Sequence, residues 1–88
     1  MPSYLVETFL PRSAAGERTA RERRARSTAA ELTRKGRRVR FDHTIHVPED
    51  EICFFVFDAP SSRDVALAAQ LAELRPLRVV EAVSSGKE

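Results

Sequence analysis

The chain has 88 residues, 42% of them hydrophobic, with fifteen Lys and Arg against thirteen Asp and Glu, and one cysteine. That length suits one small domain whose single core is only modestly stable, and one cysteine rules out an internal disulfide. No stretch approaches the roughly 18 to 20 apolar residues of a membrane span, and Met1–Leu10 lacks the basic start and apolar core of a secretory signal, so a cytoplasmic location is expected.

Ser3–Phe9 (SYLVETF) alternates and carries good strand formers, which makes it a first strand, closed by Pro11. Ser13 is placed to cap a long polar helix that runs to about Lys35. Gly36 then falls where a C-cap belongs, with Arg34 and Lys35 at the negative end of the dipole. The apolar stripe of this helix is thin (Ala15, Ala25, Ala29 and Leu32), so it must lie close against a sheet. Arg38–Val47 and Glu51–Asp58, rich in aromatic and β-branched residues, form the second and third strands around a Pro-Glu-Asp turn. Ala59-Pro60-Ser61 breaks the sheet, and Ser61 with Asp64 approximates a capping box for a second helix. Val65, Leu67, Ala68, Leu71 and Leu74 supply its buried side and Pro76 stops it. Arg78–Val83 is the last strand and 84–88 a polar tail.

The order is therefore βαββαβ over a single domain, residues 1–83. Right-handed crossovers around a central hairpin turn that order into a four-stranded antiparallel sheet, 4-1-3-2, with both helices on one face. This is the ferredoxin-like α+β fold. The third strand is apolar on both faces, with Ile52, Phe54 and Val56 on one and Cys53, Phe55 and Phe57 on the other. The face left bare by the helices thus needs a cover. A homodimer stacking two sheets, a dimeric α+β barrel, supplies it.

The turn spacing sets Val47 opposite Ile52, Ile45 opposite Phe54 and His43 opposite Val56. The alternate set pairs His46 with Cys53, Thr44 with Phe55 and Asp42 with Phe57. The first set is almost wholly apolar and suits the helix-covered core. The second mixes Arg40, Asp42, Thr44, His46 and Cys53 with aromatics, as the lining of a partly polar dimer cavity would. A one-residue bulge would exchange the sets and bring His43 to the cavity, and the sequence leaves both arrangements open.

His43, His46, Cys53, Glu7 and Glu81 form the pool of metal-ligand candidates. Glu7 and Glu81 are isolated acids in apolar strands that neighbour each other, costly unless paired, solvated or metal-bound. Arg40 or Arg78 are the simple partners. The two histidines of His-X-X-His point to opposite sides of a regular strand, so His46 with Cys53 across the hairpin is the better pair. Two ligands per chain make a four-ligand site only across a dimer axis, and imidazole, thiolate and carboxylate together suit nickel, zinc or copper rather than magnesium. Cysteine nucleophilic catalysis is set aside, because no glycine loop offers an oxyanion hole.

Residues 1–40 carry eleven Lys and Arg against four Asp and Glu, and residues 41–88 four against nine. A basic half is what a nucleic-acid partner would want, but i,i+4 acid–base pairs on an exposed helix account for it. RNA-recognition motifs share the βαββαβ order, yet the basic residue and glycines that open their third-strand motif are missing here. Nucleic acid is therefore not expected as a partner, and neither is a membrane.

Tyr4-Leu5-Val6-Glu7, His43-Thr44, Cys53, Asp58-Ala59-Pro60-Ser61 and the closing Arg78-Val79-Val80-Glu81-Ala82-Val83 resemble a family of small bacterial ferredoxin-like domains. That family is largely of unknown function and includes a dimeric nickel-binding protein. The resemblance implies that His43 is the strand-two histidine of the family and that Glu7, Cys53 and Glu81 match its other recurring polar positions. The chain differs from the nickel binder in having only two histidines, neither of them near the first strand or in a helix. The expected function is a dimeric protein holding nickel, another divalent transition metal or a small ligand between subunits. The alternative is a cofactor-free monooxygenase or isomerase of the dimeric α+β barrel type, with His43 or His46 as base tuned by Glu7 or Glu81.

Overall fold

Alternating burial opens the chain. In the computed structural model, which describes residues 1–83, β1 (Ser3–Phe9) buries Tyr4, Val6 and Thr8 on one side and turns Ser3, Leu5 and Glu7 to the other. The helix expected from a Ser13 cap begins later, as α1 (Glu17–Arg34). Arg12–Ala14 forms a tight 3-10 turn instead. Its backbone is committed elsewhere: the Arg12 amide donates to the Glu51 carboxylate at 2.9 Å, and the Arg12 guanidinium to the Glu49 carbonyl at 3.2 Å. The end of α1 is as the sequence predicts. Gly36 takes φ +94°, while the amides of Gly36 and Arg37 reach back to the carbonyls of Thr33 and Leu32 at 3.0 and 2.9 Å, a Schellman closure.

The hairpin follows as β2 (Arg40–Val47) and β3 (Ile52–Asp58), joined by a short 3-10 turn, Pro48–Asp50. The second helix, α2 (Ser62–Leu71), stops three residues before Leu74, and β4 (Arg78–Ala82) completes the sheet. Its strand order is β2-β3-β1-β4, with every pairing antiparallel. The arrangement is α+β and consistent with the ferredoxin-like fold. The tail expected at 84–88 lies outside the described residues. Among the described residues, no helix is long and apolar enough to cross a membrane.

Phe41, Phe55 and Phe57 fill the core on the helix side, with Phe41 edge-on to Phe57 at 5.4 Å between ring centroids. Facing them on α1 are Ala25, Ala29 and Leu32, all buried, whereas Ala15 of the expected stripe is exposed. Small residues on the helix and large ones on the sheet are complementary: the helix approaches closely and the aromatic rings fill what the alanines leave. Leu74 is buried too, although it lies beyond α2, because a second Schellman turn folds it inward. The amides of Glu73 and Leu74 donate to the carbonyls of Gln70 and Ala69, both at 3.0 Å.

That second turn places a glutamate at φ 58°, in the left-handed region where a Cβ crowds the backbone. Among the described residues only the Glu73 carbonyl is otherwise engaged, by Arg24 at 3.3 Å, and glycine would keep that bond. Glu73→Gly is expected to stabilise the protein by about 0.5–1 kcal/mol. The gain should register as a rise of a few degrees in the thermal midpoint; a fall would mean that the side chain itself matters.

Candidate functional site on the open sheet face

The observed hairpin register from His43 to Val47 is the predicted one: His43 lies opposite Val56, Thr44 opposite Phe55, Ile45 opposite Phe54, His46 opposite Cys53 and Val47 opposite Ile52. The faces are those of the second of the two arrangements the sequence left open, the reverse of the first. Cys53, Phe55 and Phe57 are fully buried beneath the helices, so His46 and Thr44 share that helix side, and the set with His43, Ile45, Phe54 and Val56 lies on the open side. A bulge between Phe41 and His43 breaks the alternation at Asp42. It turns Phe41 into the core while leaving His43 outside. The reversal has a physical reason in β1. Glu7 shares a face with Phe54, and under the helices it would keep its cross-strand neighbour Arg78 but lose water.

On the open face Glu7 has both. Arg78 stands opposite it on β4 and donates from Nε to Oε1 at 2.6 Å. Glu81 pairs with Tyr4 in register and is exposed on the other side of the sheet. The two acids expected to approach each other are therefore separated by the sheet itself, because Glu81 lies three positions beyond Arg78, an odd offset that puts it on the opposite face. Cys53 is separated from the open face as well. It is sealed under α1, and burial pushes its thiol up, with Arg21 and Arg18 pulling only partly against it. A protonated buried thiol is neither a nucleophile nor a ready metal ligand.

Of the five expected ligands, then, His43 and Glu7 lie on the open face, His46 and Cys53 meet across the hairpin on the helix side, and Glu81 stands apart. Among the described residues, no group of three or more His, Cys, Asp or Glu side chains is placed to hold a metal ion. What the sequence did not single out is the partner of His43. Asp42 Oδ2 lies 2.7 Å from His43 Nδ1, which fixes the ring and leaves Nε2 directed away. The bulge makes this possible by placing two consecutive residues where their side chains can meet.

Around His43 the face is apolar. Val56 is buried at its centre, Leu5, Phe54, Ile52, Val47 and Val80 are half-buried, and Phe9 and Ile45 remain 52% and 42% exposed at its edge. At one end Asp58 closes a polar cluster, accepting from the Ser3 hydroxyl at 2.7 Å and from Arg40 Nη2 at 2.6 Å. Burial alone would raise the Asp58 carboxyl. Ser3, Arg40 and the chain's N-terminal ammonium outweigh it and hold the group below the ordinary carboxylate range. As pH falls, the unfolded state takes up this proton first, so the contribution of Asp58 is present above about pH 4 and disappears below it. Asp58→Asn should therefore lower the urea midpoint at pH 7, by an amount that shrinks as the pH falls below about 4. A constant gap across that range would remove the charge from the explanation.

No family model, curated protein or solved structure matches the chain significantly.

Proposed function

We propose that the protein is a homodimeric binding protein in which two open sheet faces close on each other, with the ligand held in the enclosed space at His43. The observation that carries this reading is the apolar open face, a surface of a kind monomers seldom leave to water. A two-fold axis across it would bring together two His43 rings, each already oriented by its own Asp42. A divalent transition metal such as nickel or zinc, shared between those rings and completed by small ligands, fits this donor type. The resemblance to small bacterial ferredoxin-like domains that include a dimeric nickel binder supports the same reading.

Sedimentation and calorimetry on protein free of any histidine tag test it. A dimer that takes up nickel or zinc at one ion per pair, and loses it in His43→Ala, is the expected result. A monomer at micromolar concentration would overturn the proposal. The same Asp42–His43 pair favours a second reading, an acid–base enzyme of the dimeric α+β barrel type, since an oriented imidazole is also a general base. A dimer indifferent to metal in which His43→Ala weakens binding of a small carbonyl compound would move the assignment there.

A further inference from the structure

A groove of about 500 Å³ lies where the C-terminal half of α1 passes over the start of β2, and His43 is not among the residues that line it. Arg26, Arg34, Arg38 and Arg40 line it, and among the described residues no Asp or Glu does. Three of these arginines are partly engaged: Arg26 with Glu22 at 3.4 Å, Arg34 with Glu31, and Arg40 with Asp58. Arg38 has no ion-pair partner among the described residues. The floor is apolar, formed by Ala29, Val39 and Phe41. The Arg26 guanidinium carbon sits 4.9 Å from the centroid of the Phe41 ring, a cation–π contact at the groove wall.

Forked guanidinium donors match the oxygens of phosphate and carboxylate. A concave apolar floor with a few convergent charges is the usual form of a small-molecule site, and this volume is in the usual range of roughly 300–1,000 Å³. From this juxtaposition we propose that the groove binds a small oxyanion, phosphate or carboxylate, carried on an aromatic or short aliphatic body. Arg38 and Arg34 take the charged head, and the body lies along Ala29 and Phe41. A nucleic-acid strand is a poorer match, because a single aromatic platform in a short groove cannot stack successive bases. The proposal is independent of the dimer and of His43.

Amide NMR titration of the full chain with phenyl phosphate, phenylacetate, inorganic phosphate and benzyl alcohol at low salt tests it. Phenyl phosphate or phenylacetate should shift the amides of Ala29, Ala30 and Val39 saturably. Binding should be at least tenfold tighter than for inorganic phosphate, and benzyl alcohol should give no saturation. Arg38→Gln, an exposed position that leaves the core untouched, should weaken it about tenfold. Arg63→Gln on α2 and His43→Ala should not change it. Equal binding by Arg38→Gln, shifts confined to the open sheet face, no saturation below 5 mM, or tighter binding of oligouridylate than of either aromatic anion would each overturn it.

Discussion

Phe55→Ala is expected to cost about 3–5 kcal/mol, the range for emptying an aromatic site in a packed core. Phe55 has no exposure, lies opposite Val6 and Thr44, and has its ring centroid 6.5 Å from that of Phe41. A domain of this size has a total stability of roughly 5–15 kcal/mol, so the loss removes much of what there is. With a denaturant slope of about 1–2 kcal/mol per molar in urea, the midpoint should fall by roughly 2 M or more. The informative comparison is Phe54→Ala, one residue earlier and only half-buried on the other side of the strand. Measured at a concentration where any dimer is dissociated, it should shift the midpoint less than half as far. Equal shifts would contradict the face assignment on which the site description rests.

Ile45→Asp is expected to raise the dissociation constant of the proposed dimer by at least 100-fold while leaving the monomer folded. Ile45 is 42% exposed in the single chain, so a carboxylate there stays hydrated until a second sheet covers it. Once covered, the carboxylate is desolvated without a cation to pair with it. Losing an apolar contact and burying an unpaired charge costs about 3 kcal/mol or more, roughly two decades in affinity. Sedimentation across a concentration series would show the shift, with circular dichroism confirming an unchanged fold. A variant that still forms dimers at the parent concentration would place the contact on another surface.

Local chemistry in the sequence determined most of the backbone. Pro11 and Pro76, the Gly36 cap and the Pro48 turn each fix a boundary by removing an alternative, and turn length alone set the hairpin register. The sequence could not show which face of β3 meets the helices, since Ile52, Phe54 and Val56 are as apolar as Cys53, Phe55 and Phe57. Alternation has a period but no sign when both sides are greasy. The available clue was Glu7, an acid in an inner strand, which is least costly on the side left open to water; Arg78, directly opposite, shares whichever side it takes. The expected approach of Glu7 to Glu81 fails on parity: the strands are neighbours, but Glu81 lies an odd number of positions beyond Arg78, the residue opposite Glu7. The pairing of Asp42 with His43 is hidden for a related reason. A bulge is invisible in composition, and only a bulge lets neighbours in a strand act as a pair.

The interruption at Asp42 also falls on an outer strand, the margin along which stray extended segments could add themselves rung by rung. A straight intruder zipping along β2 would lose its match at Asp42, with the charges of Arg40 and Asp42 beside the gap. The kink that orients an imidazole thus also discourages open-ended, fibril-like stacking of copies.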